Sequence, residues 1–293
     1  MNLSEKLKKA VRYPRRVPIE IHGLFHDVIF WGSRGINIPQ ADWDNLIILD
    51  ACRFDLFEAQ NSMDGELSAA RSRGTHTGQF MERNFGGLSF PDTVYVSANP
   101  NPAQVGASFH DIVPLWESAW DEELQTVSPE AVVKATMKAA ENYPDKRLII
   151  HFLQPHYPWI GPEGRRYMEE HSYWPQTQSE NVWTRLRRGD VSKHEIWAVY
   201  QENLEVTLPH VETIVEELSG KSVVTSDHGN AFGEWDVYGH PGSTYIEPLV
   251  RVPWFVADWE ERKHIVSGSA SQSLSSLQGS VDEEHLEALG YME

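Results

Sequence analysis

The sequence predicts an α/β fold with a largely parallel central sheet and helices on both faces. Three observations predict it. Short apolar runs rich in β-branched residues recur along the chain, helical patterns fill the gaps between them, and three of the runs end on polar residues able to bind metal. In open sheets of this kind ligands gather at the carboxyl ends of the strands, which is where those polar residues would lie.

The first run, Asn45-Leu46-Ile47-Ile48-Leu49, ends at Asp50. The second, Arg147 to Leu153, leads into Gln154-Pro155-His156, and the third, Lys221 to Ser226, leads into Asp227-His228-Gly229. A shorter candidate strand, Val94 to Ser97, precedes the turn-rich Asn99-Pro100-Asn101-Pro102. Helical spacing of apolar residues covers Pro129 to Asn142 and, as one long helix, Glu195 to Leu218. Gln79 to Asn84 also reads as helix. Ser267 to Ser280 is rich in serine and glycine and reads as a flexible linker, followed by a short helix from Val281 to Tyr291. No internal repeat is evident. The expected organisation is a basic arm and lead-in over residues 1–40, one catalytic α/β domain over 41–265, and the linker with its short helix over 266–293.

At 293 residues with 40% hydrophobic and 11% aromatic content, the chain can bury one sizeable core. A net charge of -18 repels polyanions and argues against a nucleic-acid partner. With 9 lysines against 16 arginines, the acidic, lysine-poor composition suits a halophile's high-salt cytoplasm, where carboxylate repulsion is screened. No stretch approaches the roughly 20 apolar residues needed to cross a bilayer, and the amino terminus has no apolar leader segment, so a cytoplasmic protein is expected. The first sixteen residues run against the rest, with Lys6, Lys8, Lys9, Arg12, Arg15 and Arg16 beside one acid, Glu5. Such an arm suits either peripheral contact with an anionic inner membrane face or docking on the protein's own acidic surface. Cys52 is the single cysteine, which excludes an internal disulfide and a cysteine-built zinc site. A metal would be held by oxygen and imidazole.

A carboxylate at the end of a buried strand is costly unless something compensates its charge, and in Asp227-His228 a divalent cation would do so. A mixed carboxylate and imidazole shell suits zinc, manganese or iron better than calcium. On the dipeptide alone, a helix-capping aspartate beside a packed histidine is the stronger reading. The wider context resolves the choice. Ser226-Asp227-His228-Gly229-Asn230-Ala231-Phe232-Gly233-Glu234, then Tyr238-Gly239-His240-Pro241-Gly242, then Tyr245 to Trp254 closely resemble the metal-site segment of the sulfatase branch of the alkaline phosphatase superfamily. The strand ending at Asp50, the stretch His151 to Trp159, and the closing Leu289-Gly290-Tyr291 resemble further family segments in register.

That resemblance implies an alkaline phosphatase-like sheet with the metal site at the carboxyl ends of the strands. Asp50, Asp227 and His228 would be ligands, joined by a nucleophilic hydroxyl at a helix amino terminus. Within Ser72-Arg73-Gly74-Thr75-His76-Thr77-Gly78, Thr77 takes that place and Thr75 is the reserve. His156 would contact the substrate and protonate the leaving oxygen. His240 would bind a non-bridging oxygen or a second metal. His76, His110 and His151 receive no role.

The pattern also departs from the family. No formylglycine motif occurs, so a threonine nucleophile points to phosphate esters, by hydrolysis of monoesters or diesters or by phosphotransfer, including glycan- or lipid-linked substrates. Sulfate-ester hydrolysis and a non-catalytic scaffold are the alternatives. Ala51, Asn230 and Gln154 stand where the family commonly has acids, so one divalent ion (Mn, Zn, Mg or Ca) is expected rather than two. Arg53 and Asp55 either pair or reach the substrate. Trp159, Trp174 and Trp183 either line a lid or form local core.

Overall fold

The computed structural model describes residues 17–30, 34–171 and 181–280. The basic arm, Trp174, and the expected last helix with Leu289-Gly290-Tyr291 lie outside the described residues. The strands are β1 (Asn45–Asp50), β2 (Gly65–Arg71), β3 (Ser89–Ser97), β4 (Ser108–Pro114), β5 (Trp120–Asp121), β6 (Thr126–Val127), β7 (Arg147–Pro155), β8 (Ser222–Ser226), β9 (Ala231–Phe232), β10 (Tyr238–Gly239), β11 (Arg251–Ala257) and β12 (Gln272–Ser273). Eight of them form one sheet in the order β12-β4-β3-β7-β1-β8-β11-β2. Neighbours from β4 through β8 run parallel, whereas β11, β2 and β12 pair antiparallel at the flanks.

The helices are α1 (Val17–Phe30), α2 (Phe54–Gln60), α3 (Thr77–Phe85), α4 (Leu115–Ser118), α5 (Pro129–Asn142), α6 (Pro162–His171), α7 (Val182–Arg188), α8 (Lys193–Glu205), α9 (Leu208–Glu217) and α10 (Glu247–Val250). Among the described residues no helix is long and apolar enough to cross a membrane. The central strands read as unbroken apolar runs because both faces are covered. On one face Ile47, Leu49, Val96, Ile150 and Val224 pack with side chains of α2, α5, α8 and α9. On the other, Leu46, Ile48, Tyr95 and Ile149 pack with Phe80, Met81 and Phe85 of α3. Each fully buried aliphatic side chain contributes roughly 1.5–3 kcal/mol. Helix α3 is thereby pinned with its first residue, Thr77, above the ends of the strands.

Several expectations change. The long helix from Glu195 to Leu218 is two helices, α8 and α9, broken before Pro209. A proline there has no N–H to donate, and its ring would collide with the carbonyl of Glu205. The segment Ser267 to Ser280 is not a free linker. It adds β12 to the edge of β4, and Leu274 is fully buried beside Phe109. One apolar anchor among serines suffices to dock it. The strand expected from Val94 extends back to Ser89. Trp159 and Trp183 are buried in the core, which is the local-core reading of those aromatics.

Candidate metal centre and nucleophile

Strand β1 ends at Asp50, and the chain then turns through Ala51, a non-glycine residue with φ of 59°. That left-handed conformation costs about 1–2 kcal/mol. It directs the Ala51 N–H onto Asp227 Oδ1 at 3.0 Å, while the Ala51 carbonyl accepts from the Tyr200 hydroxyl at 2.5 Å. Ser226 at the end of β8 binds the two strand ends together: its hydroxyl oxygen accepts from the Cys52 N–H at 2.9 Å and lies 2.6 Å from the Leu49 carbonyl. Asp50, at the end of β1, and Asp227, just past the end of the adjacent parallel strand β8, are thus brought together, each with 0% exposure.

Asp50 Oδ1, Asp227 Oδ2 and His228 Nε2 converge, with His228 Nε2 3.5 Å from the first and 3.4 Å from the second. The three residues offer ligand atoms that all lie within 4.8 Å of one another. Thr77 joins them from above, its hydroxyl donating to Asp227 Oδ2 at 2.7 Å and lying 3.4 Å from His228 Nε2. Asn99, at the end of β3, donates its amide to Asp50 Oδ2 at 2.6 Å and so fixes that carboxylate. Ser72, leading into the turn that carries Thr75 and Thr77, donates its hydroxyl to the Asp227 carbonyl. Gly229 is required for a different reason: a β-carbon there would fall 2.2 Å from the Pro248 carbonyl oxygen.

Protonation states define what this cluster can hold. Burial pushes the His228 imidazole down to about 4, so it is neutral near pH 7. Its Nδ1 lies 2.9 Å from the Gly229 carbonyl and carries the proton, which leaves the Nε2 lone pair facing two carboxylates and a hydroxyl oxygen. Burial raises the Asp227 carboxyl above its ordinary value, opposed by the Thr77 hydroxyl and the N–H groups of Ala51 and His228. Among the described residues no lysine or arginine forms an ion pair with Asp227. Three oxygen donors and one imidazole lone pair, gathered at one buried point, fit a divalent cation.

Two more histidines lie alongside. His156, just past the end of β7, directs Nδ1 at the Tyr157 carbonyl at 2.7 Å, and its Nε2 meets His240 Nε2 at 3.0 Å. Burial holds His156 down at about 4 and His240 well below its ordinary value, so both rings are neutral. With Nδ1–H of His156 engaged, the 3.0 Å contact requires the proton on His240 Nε2. The His240 ring lies 4.7 Å from that of His228, centroid to centroid. His156 is held by Asn203 of α8, whose amide nitrogen lies 3.1, 3.0 and 3.3 Å from the carbonyls of Pro155, His156 and Pro158.

Thr75 faces elsewhere, with its hydroxyl 3.0 Å from the Pro241 carbonyl and 3.1 Å from Gln79 Oε1. Arg53 and Asp55 pair at 2.6 Å, and Arg53 also reaches Glu234 at 2.8 Å. Cys52 is buried and forms no disulfide. Asn99, Ser226, Tyr200 and Asn203 were not singled out by the sequence, because each acts through a contact made only in the folded chain. The one local hint was the Asn99-Pro100 turn at a strand end. His151, left without a role, is fully buried beneath the site and shares a 2.7 Å hydrogen bond with the Tyr95 hydroxyl.

No protein-family model and no curated protein matches the chain. Solved structures similar to it include the soluble domain of lipooligosaccharide phosphoethanolamine transferase A from Neisseria meningitidis, at 15% identity and a TM-score of 0.48 over 77% of this chain and 80% of that one. A periplasmic phosphoethanolamine transferase domain from Campylobacter jejuni matches at 14% identity and a TM-score of 0.46, over 72% and 77%. A phosphonate monoester hydrolase from Silicibacter pomeroyi matches at 13% identity and a TM-score of 0.43, over 84% and 72%. These neighbours belong to the alkaline phosphatase/sulfatase superfamily that the sequence resembles. At such identities and TM-scores the likeness carries no argument about chemistry, which is read from the residues themselves.

Proposed function

We propose that the chain is a metal-dependent phosphoester hydrolase or phosphotransferase with Thr77 as nucleophile. The observation that carries this reading is the Thr77 hydroxyl. It lies at the amino terminus of α3 and is hydrogen-bonded at 2.7 Å to one carboxylate of the Asp50, Asp227 and His228 cluster. A divalent ion held by Asp50, Asp227, His228 and Thr77 would lower the hydroxyl pKa and offset negative charge on the ester.

The chain's own residues supply the rest. Asp227 Oδ2 orients the Thr77 hydroxyl, and the leading N–H groups of α3 favour negative charge beside it. Attack by Thr77 Oγ1 forms one bond to phosphorus as the bond to the leaving oxygen breaks. The leaving oxygen departs with the electron pair of the broken bond and takes its proton from water, while the neutral His240 and His156 rings, paired Nε2 to Nε2 at 3.0 Å, stand beside the cluster to contact the ester. Water or a second alcohol then takes the phosphoryl group from Thr77, giving hydrolysis or transfer.

The test is an assay of a phosphate monoester, a phosphate diester and a sulfate ester with protein loaded with Mn or Zn, beside Thr77→Ala. Turnover of a phosphate ester that disappears in Thr77→Ala while metal content is kept supports the reading. Turnover of the sulfate ester alone would move the protein to the sulfatase class. Bound metal with no turnover of any ester, in both proteins, would favour the scaffold.

A further inference from the structure

One buried histidine has no part in the chemistry described so far. His151 lies on β7 with 0% exposure, and strand alternation puts it on the same face as Ile149, against α3. It is level with Ser97 of β3 and Ile48 of β1, and Ile48 in turn is level with Thr225 of β8. Two residues on from Ile48 and Thr225 come Asp50 and Asp227. His151 therefore forms part of the floor beneath the two acids.

The ring is held from one side. Its Nδ1 lies 2.7 Å from the hydroxyl of Tyr95, which belongs to β3. Nε2, across the ring from Nδ1, is buried and has no hydrogen-bond partner among the described residues. The strands on that side of β7 are β1 and β8, at whose ends Asp50 and Asp227 stand. Burial pushes the His151 imidazole down to about 4, with Asp227 opposing and His228 assisting, so the ring is neutral near pH 7.

A neutral imidazole carries one proton, and two observations put it on Nδ1. An orphaned buried N–H is rarer than an orphaned acceptor, so the partnerless Nε2 is the bare nitrogen. The Tyr95 hydroxyl also has Met81 Sδ at 3.8 Å to donate to, which leaves its oxygen to accept from Nδ1. His228 is arranged in the same way, with Nδ1 on the Gly229 carbonyl and the Nε2 lone pair turned to the cluster. An oxygen on the far nitrogen is the usual means of orienting a histidine toward a metal. His151 Nε2 is not among the ligand atoms that converge within 4.8 Å, so it does not join them directly.

We infer that His151 is a positioning residue of the metal centre: Tyr95 takes its Nδ1 proton, and its Nε2 accepts a hydrogen bond from a water on the ion held by Asp50, Asp227, His228 and Thr77. The inference rests on the metal-dependent reading above. A neutral acceptor beneath the acids orients the ion's shell without adding a further buried charge.

Two measurements on the full chain test it. Long-range proton–nitrogen NMR of metal-free protein labelled at histidine should show His151 protonated at Nδ1 and bare at Nε2. Zn titration by calorimetry should give a Kd about tenfold weaker in His151→Leu combined with Tyr95→Phe, which removes both polar partners together and should leave the urea midpoint of the metal-free protein unchanged or raised. His151→Gln keeps an acceptor at similar reach and should bind Zn within about threefold of wild type. A merely structural role would move the urea midpoint and leave the Kd alone. A proton on Nε2 in the metal-free protein would overturn the inference whether or not metal binds. Equal Zn affinity in wild type and the double variant would overturn it while leaving the metal centre in place. A wild type that takes up no Zn would overturn the metal centre itself, and the inference with it.

Discussion

Just before β1, Asp44 is 1% exposed, and Arg262 grips it with two nitrogens at 2.7 and 2.9 Å. The backbone N–H groups of Lys221 and Lys263 add two more donors, and neighbouring Asp42 is paired with Arg262 and Lys221. At the other end of the same strand, Asp50 and Asp227 are buried just as deeply. Asp227 there is met by the Thr77 hydroxyl, the backbone N–H groups of Ala51 and His228, and the neutral imidazole of His228. Where a buried carboxylate is structural, the chain brings its own cation. Around Asp227 the groups described are neutral and orient its oxygens, and a bound cation would supply the compensating charge. The contrast marks Asp227 as a candidate for metal binding more sharply than burial alone does.

Breaking the metal end should have the largest effect. Thr77→Ala is expected to lower turnover at least about a thousandfold with metal content retained, read by steady-state kinetics beside elemental analysis. Asp227→Asn should abolish metal binding at micromolar ion. In metal-free protein, the same change should leave stability equal or raise it by about 1–3 kcal/mol, because a buried charge is removed. Urea denaturation with and without chelator measures both effects.

Asp44→Asn should behave in the opposite way, costing about 2–3 kcal/mol whether or not metal is present. Its carboxyl is held below the ordinary value: burial, the largest influence, would raise it, but the hydrogen bonds from Arg262, Lys221 and Lys263 outweigh that. A folded-state pKa below the unfolded one stabilises above the unfolded value of about 3.9 and is lost as pH falls through the folded value. The stability gap between wild type and Asp44→Asn should therefore be full at neutral pH and close on acidification.

Asn203→Leu releases the carbonyls around His156, so about a tenfold loss of kcat with metal retained is expected, and about 1–2 kcal/mol of stability. Thr75→Val should be the mildest, with less than about 1 kcal/mol lost and turnover within about threefold of wild type. A large loss of turnover in Thr75→Val with little in Thr77→Ala would exchange their roles.

The strand cores and the acids at their ends were legible in the sequence for one physical reason. A run buried on both faces must be apolar throughout, so Asp50 and Asp227 stand out at its end. The supporting groups were not legible, since Ala51 acts through a positive φ, Ser226 through the pairing of β1 with β8, and Asn203 from the middle of a helix. Periodicity also misled where it overrode a local signal, as at Pro209. Composition misled at Leu274, whose single buried side chain docks a serine-rich segment. Thr77 was singled out only by resemblance, because a threonine at a helix start is otherwise an ordinary residue.

Anomalous scattering from crystals of the full chain grown with Zn or Mn tests the central claim most directly. The expected result is one strong peak within about 2.0–2.3 Å of Asp50, Asp227, His228 Nε2 and Thr77 Oγ1, absent in Asp227→Asn. No peak there, or a peak only at surface carboxylates, would contradict a metal centre and leave Asp50 and Asp227 as buried acids without catalytic meaning.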